Sequence, residues 1–101
     1  MNFNMLKQAQ ELKSKLDKAQ KELSKLSVEG DAGKGAVKVT MNGQQKITSI
    51  KISPEVVNPN KVSDLEKLIL RAIGEASAKS QKVAAQQLKG LTGGLKIPGL
   101  T

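Results

Sequence analysis

Apolar positions recur along this chain with two different periods, and the changes of period divide it into three regions. In the first, Met5, Ala9, Leu12, Leu16, Ala19, Leu23 and Leu26 follow one another at intervals of 4, 3, 4, 3, 4 and 3. That spacing is a heptad seam on one face of an α-helix, with Ala9, Leu16 and Leu23 at a and Met5, Leu12, Ala19 and Leu26 at d. Residues 4–27 contain neither glycine nor proline, so a helix is predicted over 4–27, with Asn2 or Asn4 available to cap its start. At 1.5 Å per residue it would be about 35 Å long. So long a rod on a small domain is expected to project in part as an arm.

In residues 28–53 the period falls to two. Val37, Val39 and Met41 alternate with Lys38 and Thr40, as in a strand with one covered face. Asn42-Gly43 follows and predicts a two-residue hairpin turn in which both central residues take positive φ. "QQKITSIKIS" is the return strand. A two-residue loop pairs Val39 with Lys46 and Val37 with Thr48, and puts Ile50 and Ile52 on the same face. Ile47 then points the other way. Either a bulge near Thr48-Ser49 corrects it, or both sheet faces are covered, the second by another subunit; the residues leave both alternatives open. Upstream, a turn linking "SVEG" to "GAVKV" accounts for the glycines.

The third region follows a connector in which Pro54 and Pro59 stop the strand and delay the next helix. A helix is predicted over 63–89, opened by a capping box of Ser63 and Glu66, with Asp64 and Glu66 at the positive end of its dipole. Val62, Leu65, Leu68, Ile69, Ala72, Ile73, Ala76, Val83, Ala84 and Leu88 form its apolar stripe. Gly74 marks a close contact or a bend, and Gly90 is the expected stop. Residues 1–90 are thus expected to form one domain, and 91–101, "LTGGLKIPGL" with Thr101, a flexible tail.

Composition sharpens this picture. A chain of 101 residues suits a single domain. A domain of this size buries a modest share of its surface, so pairing with a second copy would help it. Phe3 is the sole aromatic residue, which leaves the core to Leu, Ile, Val, Met and Ala. There is no cysteine and no histidine, which removes disulfides, thiolate metal sites and the usual general base. Seventeen basic residues, all lysine except Arg71, stand against nine acidic ones, a net charge of +8. The excess is spread over all three regions and suits a polyanionic partner, although it would also serve solubility. Lys7 and Glu11 interrupt the first apolar stretch, so neither a signal peptide nor a membrane span is expected, and the protein is expected in the cytosol.

The run "GDAGKGAVKV" invites a phosphate-loop reading, and the residues do not support it. Gly30, Gly33 and Gly35 lack the required spacing, no Lys-Ser or Lys-Thr pair follows, and the loop leads into a strand. The Asp64/Glu66 pair is explained by helix capping, and no serine has a histidine partner. No catalytic residue, cofactor, metal ligand or small-molecule substrate is expected, and an enzyme is the weakest functional class.

Taken together, "NMLKQAQELKSKL", "VEGDAGKGAVKVTMNG", "KISPEVV", "DLEKLILRAI" and "LTGGLKIPGL" resemble the YbaB/EbfC family of bacterial nucleoid-associated proteins over nearly the whole chain. The resemblance implies an α+β fold with a long N-terminal helix, a three-stranded antiparallel sheet and a C-terminal helix, in the order α-β-β-β-α. It also implies a tweezer-like homodimer and binding of double-stranded DNA with limited sequence preference through the helices. Leu6, Leu12 and Leu16 stand where methionines are common in that family, a change of little consequence for packing.

On this reading the candidate DNA contacts are Lys7, Lys13, Lys15, Lys18, Lys21 and Lys25 on the first helix. Arg71, Lys79, Lys82 and Lys89 join them from the second. A lysine ammonium is a mobile point charge suited to backbone phosphates, not a planar fork for reading guanine. The near absence of aromatic residues argues against stacking on unpaired bases. Two rivals remain: a dimeric coiled-coil adaptor for other proteins, and a binder of RNA duplexes. Membrane association is not expected, and the cellular place implied is the cytoplasm, at the nucleoid.

Overall fold

The computed structural model describes residues 3–92. Its elements run helix α1 (Phe3–Lys25), strands β1 (Ser27–Ala32), β2 (Val37–Asn42) and β3 (Ile47–Ile52), a short 3-10 turn (Pro54–Val56) and helix α2 (Val62–Thr92). The strands form one antiparallel sheet in the order β1-β2-β3. This is the α-β-β-β-α order expected. The cap by Asn2 and the tail from 93 onward lie outside the described residues.

α2 lies across one face of the sheet, over β1 and β2. Val37, Val39, Ala72 and Ala76 are fully buried there, Met41 and Ala32 nearly so, and Val28, Leu65, Leu68, Ile69 and Ile73 pack around them. The close approach has a specific cause. A Cβ built on Gly30 would sit 2.3 Å from both the Ala72 carbonyl oxygen and the Ala76 backbone nitrogen. Glycine on the strand and alanines on the helix let two backbones meet where larger side chains would hold them apart. On the opposite face Lys38 pairs with Asp31 and Lys51 across the strands, and all three are exposed.

The β1–β2 connection is a tight turn. Ala36 N–H donates to Gly33 O at 3.2 Å, and the central residues Lys34 and Gly35 have φ of 59° and 84°, the signs of a type I′ turn. Gly30 belongs to β1 itself, so the glycines of this stretch do two different jobs.

The β2–β3 hairpin differs from expectation. The observed partners are Val37↔Ile52, Val39↔Ile50 and Met41↔Ile47, not Val37–Thr48 and Val39–Lys46. The loop has three residues, Gly43 to Gln45, and Gln45 supplies the positive φ, 63°. Asn42 acts through its side chain: Oδ1 accepts hydrogen bonds from the N–H groups of Gln44 at 2.9 Å and Lys46 at 3.0 Å. Thr48 is the extra residue of a bulge, which turns Ile47 onto the same face as Ile50 and Ile52. The bulge alternative is therefore the one the molecule uses.

All four helix boundaries also move, and α1 begins at Phe3, which places Asn4 inside the helix and not at its cap. α1 ends at Lys25, and Ser27, expected in the helix, opens β1 opposite Asn42. α2 begins at Val62, with Lys61 O accepting from Asp64 N–H at 3.2 Å and Leu65 N–H at 3.5 Å, so Ser63 lies inside the first turn and not at its cap. At the other end α2 runs through Gly90 to Thr92, since one exposed helix glycine costs only about 1 kcal/mol. Gly74 makes no close contact: nothing lies within 4 Å of where its Cβ would be.

Candidate nucleic-acid interface

Among the described residues, α1 is buried against the body only near its C-terminal end. Ala19 and Leu23, two members of the heptad seam, are its only buried residues. Gly43 N–H of the hairpin loop donates to Leu23 O at 2.8 Å, a carbonyl at the end of the helix that also accepts from Leu26 N–H at 3.2 Å. Gln44 Nε2 reaches Gln20 O at 3.0 Å and Gln20 Oε1 at 3.1 Å. On the α2 side, Gln87 Nε2 donates to Glu22 Oε2. The helices run antiparallel here, α1 toward the sheet and α2 away from it. N-terminal to Ala19 the rest of the seam is uncovered, with Met5 68 % exposed and Leu12 and Leu16 about 40 %. The partner helix that the seam calls for is thus supplied by α2 for its last turns alone.

The cations follow from this geometry. Lys15 and Lys18 of α1 border an open groove of about 400 Å³ whose other wall is Gln86, Gln87 and Gly90 of α2. Lys13, Lys18 and Lys21 border a second, of about 510 Å³, on the adjoining face of α1 with Gln10, Ser14 and Asp17. Lys18 is common to both, so four ammonium groups gather around the middle of the arm. Lys7 lies farther toward the N-terminus and Lys25 at the sheet end, both exposed. Arg71, Lys82 and Lys89 are exposed on α2, with Arg71 over the sheet and Lys82 and Lys89 on the part that runs beside α1.

An α+β scaffold with a lysine-bearing helical arm has relatives. The model of the YbaB/EbfC DNA-binding family matches residues 1–95. The chain belongs to the YbaB/EbfC family. It is 50 % identical over 97 residues to a nucleoid-associated protein of Chloroflexus aggregans, covering 95 % of this chain and 97 % of that one. It is 42 % identical over 97 residues to a nucleoid-associated protein of Caldanaerobacter subterraneus, covering 96 % and 87 %. A crystal structure of an uncharacterized protein from Helicobacter pylori superposes with a TM-score of 0.68 at 16 % identity, over 94 % of this chain and 97 % of that one, and shares the fold. This is a family of nucleoid-associated DNA-binding proteins, not of enzymes.

Lys79 stands apart within the cationic set. Its Nζ donates to Glu29 O at 2.8 Å and lies 3.1 Å from Glu75 Oε1 one helical turn away. An ammonium already spoken for on two sides has less to offer a phosphate. Among the described residues no group of His, Cys, Asp and Glu is placed to hold a metal ion, and no helix is long and apolar enough to cross a membrane. What sequence reasoning missed is the hairpin tip, Gly43 to Gln45, which fastens α1 to the body. The only signal for it was Asn42-Gly43, which spoke for a turn and not for a joint.

Proposed function

We propose that this protein binds duplex DNA as a homodimer, through lysine–phosphate contacts from α1 and α2 and with limited sequence preference. The observation that carries the reading is the cluster of Lys13, Lys15, Lys18 and Lys21 on a helix that stands off the body, within a family of DNA-binding proteins. Lys7, Lys25, Arg71, Lys82 and Lys89 extend the cationic surface, and Lys79 adds least. Each ammonium that meets a phosphate releases condensed counterions, and that entropy drives binding without regard to sequence. Phe3, exposed near the start of α1, is the chain's sole aromatic residue, and one ring does not make a platform for successive unpaired bases.

The homodimer rests on a different observation. Ile47, Ile50 and Ile52 lie on the helix-bearing face of the sheet, yet α2 covers β1 and β2 and leaves these three 38–46 % exposed. A second copy that covers this strip would bury apolar area worth roughly 25 cal/mol per Å². Two copies would also set two arms on one duplex, which suits association with the nucleoid and effects on chromosome organisation and gene expression.

The bare seam of α1, with Met5, Leu12 and Leu16 exposed and Phe3 and Leu6 exposed outside it, favours a second reading as an adaptor for a partner helix. Reversing the charge of Lys18, Lys21 and Lys25 separates the two. A DNA binder loses retention on immobilised duplex, and an adaptor keeps its protein partners. Competition between DNA and RNA duplexes of one sequence decides which helix form is preferred.

A further inference from the structure

The three residues of the β2–β3 loop bond to both helices at once. Gly43 N–H and the Gln44 side chain hold α1 at Leu23 and Gln20. Gln45 holds α2: its N–H donates to Ser80 Oγ at 3.1 Å and its Nε2 to Ser77 Oγ at 2.9 Å. Ser80 is fully buried, and its hydroxyl donates back to Asn42 O at 2.7 Å, closing the ring of bonds. A Cβ on Gly43 would sit 2.8 Å from Leu23 O and 3.0 Å from Leu23 Cδ2, so the loop lies directly against the end of α1.

We propose that the tip Gly43–Gln45 is the joint that fixes the angle of the α1 arm, and that these residues position the arm lysines on DNA without touching it. The inference rests on the DNA-binding reading for its functional half only. α1 is otherwise anchored by Ala19, Leu23 and the Glu22–Gln87 bond, all within its last two turns. The sixteen residues from Phe3 to Lys18 form a lever of about 24 Å, and a tilt of roughly 20° carries its end about 8 Å. At Lys7, about 18 Å from the anchored end, the shift is about 6 Å, so Lys7 parts from its phosphate while Lys21 and Lys25, beside the joint, keep theirs.

The test uses the full-length chain, which has no native cysteine. Spin labels at Gln8→Cys and Gln81→Cys, both exposed, report the arm-to-body distance when labelled chains are diluted with unlabelled ones. In the Gly43→Ala and Gln44→Ala/Gln45→Ala backgrounds the label distance is expected to shift or broaden by several ångströms, with helix content unchanged. Duplex affinity should fall about tenfold, and the salt dependence of binding should become shallower by one to two phosphates, a readout that simple destabilisation does not move. If Gly43→Ala does not fold, the double glutamine variant, which introduces no clash, decides. An unchanged label distance in a folded variant overturns the joint. An altered distance with unchanged affinity and salt slope overturns the positioning role. Unaltered protein that binds no duplex would instead overturn the DNA reading, while the label distances still decide the joint.

Discussion

Replacing Gly30 with alanine adds one methyl group, and the structure says it should be among the most damaging small changes in the molecule. The new Cβ would lie 2.3 Å from Ala72 O and 2.3 Å from Ala76 N, both backbone atoms in the middle of α2. Neither can rotate away. Ordinary contact begins near 3.4 Å, so α2 and β1 would have to part by about 1 Å. A gap of that size forfeits a quarter to a half of the dispersion attraction across the opened surface. The surface in question is the core: Val37, Val39 and Met41 against Ala72 and Ala76. Overpacking of a close-packed core costs 1–3 kcal/mol and at times more, and a backbone clash belongs at the upper end, about 3 kcal/mol. For a domain of this size that lowers Tm by about 15 °C. The chain has no tryptophan or tyrosine, so the melt is followed by far-ultraviolet circular dichroism. Gly74→Ala is the internal control: it is the same substitution in an open helix position, and it should stabilise by about 1 kcal/mol. If Gly30→Ala melts within two or three degrees of the unaltered protein, the account of how α2 seats on the sheet is wrong.

Three further outcomes are expected. Lys18→Glu/Lys21→Glu/Lys25→Glu should weaken duplex binding by about 100-fold or more near 0.1 M salt without changing the melt; binding within threefold of normal would remove α1 from the interface. Ile50→Asp puts a charge in the uncovered strip and should convert a species of twice the 10.8 kDa chain mass into a monomer in sedimentation at micromolar concentration. A dimer that survives it places the subunit contact elsewhere. Lys79→Gln should reduce duplex affinity less than Lys82→Gln, because Lys79 already serves Glu29 O and Glu75; equal or reversed effects would show that those bonds yield to phosphate.

The parts of the fold that were legible in the sequence are those where a local rule and the tertiary structure agree. The heptad of α1, the alternation of Val37, Val39 and Met41, and the stripe of α2 each state a period, and each became the element that period requires. The hairpin register was misread because the strongest local signal, Asn42-Gly43, competed with a tertiary demand. Gly43 must lie against Leu23 O, and the loop grew to three residues to put it there. The Ile47 phase error was the trace of that competition, and Thr48 resolves it. The boundaries at Ser27, Val62 and Thr92 moved by one to three residues, because strand pairing decided one and helix propagation the others. For the candidate site, charge and the two helical stretches picked out the lysines of α1 and α2 as candidates. That Lys79 is engaged, and that the hairpin tip bonds to α1, depends on groups 24 to 50 residues apart in sequence, which no window on the chain can see.

The central claim is that lysines on the arms grip DNA phosphates, and binding to unrelated duplexes over a salt series tests it most directly. If a dimer neutralises about six phosphates, log K should fall against log salt with a slope near −5, and the slope should be the same for duplexes of different sequence. A slope near zero, or no binding to any duplex at low ionic strength, would contradict it.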